Sequence, residues 1–132
     1  PTGIPMLSPP DIDQLLQFVL AQGNGDPTKA SNAFIGMVAP NGMYYVATFN
    51  GSYNDALVTF SQTDLTSYND LMSMRNSIFN PSTPEGYEKL FFKALMDMKL
   101  DGKVNLQRIE SDGTVKTITK DNNGKITANP CP

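Results

Sequence analysis

Residues 1–11, PTGIPMLSPPD, lead directly into an amphipathic segment, and this junction sets where the fold begins. Ser8 stands where an N-cap belongs, and Pro9 suits the first helical position because an N–H there would have no partner. Asp11 can accept the backbone N–H of Ser8, as in a capping box, and its charge complements the helix dipole. The stretch therefore predicts a helix that starts at residue 9.

That helix is predicted over residues 9–22. Its apolar side chains recur at helical spacing, which is typical of a helix with one face in the core; they are Ile12, Leu15, Leu16, Val19 and Leu20. Residues 24–27, NGDP, predict a loop.

Two strands, residues 33–39 and 43–49, are predicted next, joined by a hairpin at Asn41-Gly42. The first strand is almost continuously apolar from Phe34 to Val38, which predicts burial on both of its faces. Residues 56–60 are predicted as a further short strand or an irregular segment.

Two more helices follow. Thr63 or Asp64 can cap the first of them, which is expected to run to about Phe79, with Leu65, Tyr68, Leu71, Met72, Met74 and Ile78 as its apolar contacts. The next has Thr83 as its cap and Pro84 at its first position. Glu85 and Glu88 read as a solvated first turn that complements the helix dipole.

The last third alternates polar and apolar residues over 104–109, 115–119 and 125–127, with Asp-Gly and Asn-Gly turns between them. This predicts a meander of antiparallel strands. Residues 121–124, DNNG, lack the repeated Asp and distal Glu of a calcium loop, so a hairpin turn is the better interpretation. The predicted fold class is α+β, with three helices packed on a mainly antiparallel sheet and a C-terminal β-meander.

Composition restricts the function further. The 132 residues suit a single domain, and a net charge of −3 without a Lys or Arg cluster argues against nucleic-acid binding. No apolar run approaches the ~20 residues of a membrane-spanning helix. Cys131 is the only cysteine, so no internal disulfide can form. The absence of His excludes Ser-His-Asp and Cys-His catalysis and any His-containing zinc site within these residues.

The opening stretch resembles part of the signature of JAMM (JAB/MPN) zinc isopeptidases. That signature is a Glu, then far downstream His-x-His, seven residues, and Ser-x-x-Asp. Here residues 1–7 are the seven residues and Ser8-x-x-Asp11 is the last element. The early Pro and Gly residues also resemble many bacterial members, and the helix and strand pair that follow agree in order.

The resemblance implies that Asp11 is a zinc ligand and that Ser8 stabilises the tetrahedral intermediate. It also implies a zinc-dependent peptidase or isopeptidase with a peptide or protein substrate. The chain contains neither the His pair nor the upstream Glu, so we expect a catalytically incomplete fragment of a longer protein. A homodimer through an exposed sheet edge is a further expectation. The alternative is a non-enzymatic secreted or accessory interaction module, in which Ser8 and Asp11 only cap the helix.

Overall fold

Three α-helices cover more of the described chain than its five antiparallel strands do. The computed structural model describes residues 4–24, 26, 28–29 and 33–131. The helices are α1 (Pro9–Gly23), α2 (Gln62–Phe79) and α3 (Pro84–Asp97). The strands are β1 (Phe34–Val38), β2 (Tyr44–Phe49), β3 (Val104–Ile109), β4 (Val115–Lys120) and β5 (Ile126–Pro130). Short 3₁₀ turns cover Pro40–Gly42 and Asn54–Leu57.

All five strands form one sheet in the order β1-β2-β3-β4-β5, and every neighbouring pair is antiparallel. Strands β3, β4 and β5 follow one another along the chain, so the predicted C-terminal meander and the α+β fold class are confirmed. The long connection lies between β2 and β3 and contains both α2 and α3.

One face of the sheet, here called the helix face, carries the core side chains. The register places Tyr45 beside Arg108 and Ala47 beside Leu106, and Leu106 beside Ile118. The opposite face, here called the open face, carries Val38 and Tyr44 next to each other with both side chains exposed. Successive strand residues point to opposite faces, which accounts for this division.

The helices cover the helix face from two sides. Helix α1 contacts β1 and β2, while α3 contacts β4 and β5. Both use an apolar stripe that is almost fully removed from water: Ile12, Leu15, Leu16 and Val19 in α1, and Leu90, Phe91, Ala94 and Leu95 in α3. Helix α2 packs on α1 and α3, and Leu65 and Met72 are its two buried residues. The predicted bounds of α1 hold to within a residue, and α3 begins at Pro84 as predicted.

One prediction for the strands is wrong. Strand β1 is not buried on both faces, since Phe34 and Val38 are 64% and 69% exposed on the open face of an edge strand. Of the two alternatives for residues 56–60, the irregular segment holds: a 3₁₀ turn ends at Leu57, and residues 58–60 form no strand. Of the predicted loop at residues 24–27, Gly25 and Pro27 lie outside the described residues.

The prediction for α2 is wrong about the residue that caps the helix and about which apolar residues face the core. Ser61 caps this helix, and its hydroxyl accepts the N–H of Asp64. Met74 and Ile78 are exposed rather than packed. Their apolar character suggested that they face the core, but the face of α2 that packs on the other helices is narrower than the apolar pattern predicts.

Candidate functional site

Ser8 and Asp11 lie at the start of α1, as the sequence predicts, and they bond directly to each other. Asp11 Oδ2 accepts the backbone N–H of Ser8 at 2.8 Å and the Ser8 hydroxyl at 2.9 Å. Ser8 is 1% exposed, and Pro9 occupies the first helical position. The pair has the layout of a capping box, and the helix-cap prediction is confirmed.

The same Ser-x-x-Asp spacing occurs three more times, and sequence reasoning missed that in two of these pairs, Ser52–Asp55 and Ser61–Asp64, the residues bond to each other as Ser8 and Asp11 do. In both, the Asp N–H donates to the Ser hydroxyl and the Asp carboxylate accepts the Ser N–H. At Ser8 the hydroxyl also donates to the Asp11 carboxylate, in addition to the capping-box layout. Ser8 therefore holds the Asp11 carboxylate by two bonds, whereas Ser52 and Ser61 each bond to their Asp carboxylate only through the backbone N–H.

Asp11 opens onto a groove between α1 and β1, here called the α1–β1 groove, with a volume of about 360 Å³. Leu7, Gln14 and Phe18 form the helix side, and Phe34 to Met37 form the strand side. Asp11 is the only acidic residue among the described residues that line it. Its Oδ1 atom has no hydrogen-bond partner among the described residues.

The strand side of this groove is a free sheet edge. Among the described residues β1 has only β2 as a neighbour. The Ala39 N–H donates to Met43 O at 2.8 Å, so alternate residues back along β1, Met37 and Ile35, also direct their backbone groups toward β2. The backbone groups of Phe34, Gly36 and Val38 consequently point away from the sheet.

A metal site is not complete within these residues. No three His, Cys, Asp or Glu side chains in the described part of the chain come together as a metal site would require. Asp11 offers one suitable carboxylate oxygen, and a catalytic zinc needs three protein ligands and an open position. The described residues thus fit one ligand of such a site and do not fit the whole of it.

A second polar cluster, buried under the sheet, contradicts the prediction that Glu88 belongs to a solvated turn. Glu88 is 0% exposed, and its Oε2 atom accepts the Tyr45 hydroxyl and Arg108 Nη1, each at 2.7 Å. Burial raises the pKa of the Glu88 carboxyl, outweighing the opposing influence of Tyr45 and Arg108. Burial and the bond to Glu88 raise the pKa of Tyr45.

The sequence did carry a signal for this cluster. Glu88 precedes Phe91 and Leu95 at helical spacing, and those two side chains are buried. Arg108 continues the strand alternation of Val104 and Leu106 onto the helix face. An acid and a base at core positions of neighbouring elements are typical of a buried ion pair. Glu110 completes the cluster by accepting Arg108 Nε at 2.8 Å.

The fold gives the structural class of the protein, and the comparisons assign it to no family. The chain is an α+β protein with three described helices on one face of an antiparallel sheet and a fixed carboxylate beside the free edge of β1. Comparison with protein-family models, curated proteins and solved structures finds no match. None of the helices in the described ranges has the length and apolar character needed to cross a bilayer.

Proposed function

We propose that this chain forms part of a JAMM-like zinc peptidase or isopeptidase domain, to which it contributes Asp11 as a ligand and Ser8 beside it. The observation that carries the proposal is the Asp11 carboxylate, which is held at Oδ2 by two bonds from Ser8 while Oδ1 has no partner in the described structure. A ligand oxygen oriented in this way loses little freedom when it binds a metal.

The free edge of β1 offers a route for the ligands that the chain lacks. A strand added there would alternate its side chains between the two faces of the sheet, as every strand does. Two His residues separated by one residue would therefore share one face, and one of the two possible registers places both on the helix face, on the same side as Ile35, Met37 and the α1–β1 groove. Asp11 lines that groove, which supports the arrangement His-x-His plus Asp11.

When bound, zinc would supply hydroxide near neutral pH and polarise the scissile carbonyl. The role of this chain is to supply Asp11 as a zinc ligand and to hold its carboxylate in place. Ser8 directs its only hydroxyl proton to Asp11, so in this arrangement it positions the carboxylate. The stabilising role of Ser8 toward an intermediate stays a prediction from the resemblance.

The test is the zinc content of the longer protein that the proposal requires, expressed from the reading frame extended upstream of Pro1 and measured by elemental analysis. We expect about one zinc per chain, lost in Asp11→Asn. Asp64→Asn is the matched control, since Asp64 belongs to an exposed Ser-x-x-Asp pair of the same spacing. It should retain its zinc.

Three results would overturn the proposal: an upstream sequence without His-x-His immediately before Pro1, an extended protein without zinc, or an Asp11→Asn variant that keeps its zinc. Circular dichroism of each variant separates loss of metal from loss of fold.

The second candidate is a non-enzymatic interaction module, and the open face of the sheet favours it. Val38 and Tyr44 are exposed neighbours, and Ile109 pairs with Tyr44 on the next strand. Exposed apolar side chains in contact with each other are common at protein interaction surfaces. If neither the 132-residue chain nor the protein extended upstream of Pro1 contains zinc, this candidate is favoured.

A further inference from the structure

A second groove lies at the opposite side of the molecule, between α3 and the turn that joins β4 to β5. It has a volume of about 550 Å³ and is here called the lysine groove. Lys89, Lys93 and Lys120 line it, and no acidic residue of the described chain does. It adjoins a shallower depression lined by Lys125 and Glu85. In a chain of net charge −3, this is a local concentration of positive charge.

Two lysines of this groove differ from most other cations of the protein in their partners. Arg75, Lys103, Arg108 and Lys116 each form an ion pair with a carboxylate. Lys120 also forms one, 3.5 Å from the exposed Asp101. Lys89 and Lys93 form no ion pair with the described residues, and neither does Lys125 in the adjoining depression. The groove therefore presents two lysines, Lys89 and Lys93, whose charge is not paired within the described part of the chain.

Apolar surface lies directly beneath these charges. Phe79 is 57% exposed and Met96 is 53% exposed, and both line the groove. Lys93 Nζ lies 5.9 Å from the centre of the Phe79 ring, and Lys120 Nζ lies 3.4 Å from Met96 Sδ. An apolar side chain of a ligand can contact Phe79 and Met96 while the lysine ammonium groups turn toward its acidic neighbours.

The turn on the far wall is held in one shape. Asp121 Oδ1 accepts the backbone N–H groups of Asn123 and Lys125, each at 2.8 Å, and Gly124 N–H donates to Asp121 O at 3.0 Å. The Asp121 carboxylate is engaged within the turn. The wall is thus preformed, which lowers the ordering cost of binding.

We propose that the lysine groove is a docking site for an acidic peptide segment of a partner protein that carries at least one apolar side chain. Charge complementarity favours acidic residues, and the exposed Phe79 and Met96 favour an apolar residue between them. A nucleic acid fits less well, because the overall negative charge repels a long polyanion and few cations track a backbone. The site is independent of Asp11 and of the zinc proposal.

The test uses the 132-residue chain and an array of immobilised heptapeptides. Each peptide carries four Asp or Glu residues and one of the twenty amino acids at its centre, and a parallel set replaces the acids with Asn and Gln. The binding variant is Lys89→Glu/Lys93→Glu. The control is Lys29→Glu/Lys99→Glu, which changes the net charge equally at two exposed lysines away from the groove. Affinities for the strongest peptide are then measured by fluorescence anisotropy.

We expect the wild-type chain to bind acidic peptides with an apolar centre and to bind the neutral set far less. The Lys89→Glu/Lys93→Glu variant should bind about tenfold more weakly or worse, and the control within about twofold of wild type. Phe79→Ser should weaken binding and reduce the preference for an apolar centre. Binding should also weaken between about 50 and 300 mM salt.

The proposal fails if no acidic peptide is selected, or if both charge-reversed variants lose affinity equally, because the attraction would then be unspecific. It also fails if a single-stranded oligonucleotide binds more tightly than the best peptide with the same dependence on Lys89 and Lys93. Failure here leaves the zinc content of the longer protein unaffected, and the reverse holds as well.

Discussion

Glu88 and Arg108 form an ion pair beneath the sheet, 2.7 Å apart, with side chains 0% and 5% exposed. Glu85, one turn earlier on α3, lies 3.8 Å from the same guanidinium but is half exposed. Replacing each acid in turn therefore tests how far burial determines the contribution of an ion pair with Arg108 to stability.

We expect Glu88→Ala to lower the free energy of unfolding by about 3–5 kcal/mol, because it leaves a buried Arg108 without its main partner. Glu85→Ala should lower it by less than about 1 kcal/mol, as is usual for exposed ion pairs. Urea denaturation followed by circular dichroism measures both. Equal losses from the two variants would show that burial does not distinguish these carboxylates.

Ser8→Ala should lower the free energy of unfolding by about 1 kcal/mol, through the loss of the bond to Asp11 at the helix start. Ser61→Ala, which removes the capping hydroxyl of α2, should cost a similar amount. Under the zinc proposal the two differ in the protein extended upstream of Pro1, where only Ser8→Ala should weaken zinc retention. Unchanged retention would mean that Ser8 does not position Asp11.

The isolated chain should self-associate through β1. This strand has no charge and no proline to protect its edge, whereas β5 at the other edge ends at Pro130. Antiparallel pairing of two copies about Gly36 sets Phe34 of one copy opposite Val38 of the other, with the outward backbone groups aligned. Sedimentation equilibrium should show a concentration-dependent dimer.

Phe34→Lys should weaken that dimer by about tenfold or more, since it introduces two like charges into the joined edge. Thr127→Lys, at an exposed position of β5, is the control and should leave the equilibrium unchanged. In a longer protein whose own additional strand pairs with β1, this edge should be covered and should not support dimerisation. Dimerisation that survives Phe34→Lys would place the contact elsewhere.

Asp55 should make stability sensitive to acid. The backbone N–H of Ser52, and then Lys103, lower the pKa of the Asp55 carboxyl below its ordinary value of 3.8. Because the folded state holds this proton less tightly than the unfolded state, the stabilisation is complete above about pH 4 and is lost as pH falls through the folded pKa.

Asp55→Asn should remove that part of the acid dependence, measured as unfolding free energy from about pH 6 to about pH 2. Asp70→Asn, at an exposed helical position without an ion pair among the described residues, is the matched control. An identical acid dependence in wild type and Asp55→Asn would refute the assignment.

Local rules predicted most of the fold. Ser8 and Pro9 mark the start of α1, Thr83 and Pro84 mark the start of α3, and Gly42 turns the first hairpin with a positive φ of 77°. These features depend on a few adjacent residues, so the sequence displays them directly.

The sequence did not show which apolar residues meet another element. Phe34 and Val38 look like core residues, yet they lie on the open face of an edge strand. Glu88 falls at a core position of the α3 pattern, yet its partner Arg108 lies twenty residues away on strand β3, so the ion pair emerges only from how α3 packs on the sheet. The groove beside Asp11 likewise depends on how α1 docks on β1, a contact between elements that no local pattern specifies.

The connection between β2 and β3 has a consequence for folding order. Residues 50–103 must loop back before Phe49 can pair with Val104 in the middle of the sheet. Closing a loop of this length carries an entropic cost that grows only slowly with length. Because α2 and α3 lie within the loop and pack on each other, their association brings its ends closer together. The C-terminal meander can form from neighbouring residues alone, so joining the two halves of the sheet is the slow step expected of this topology.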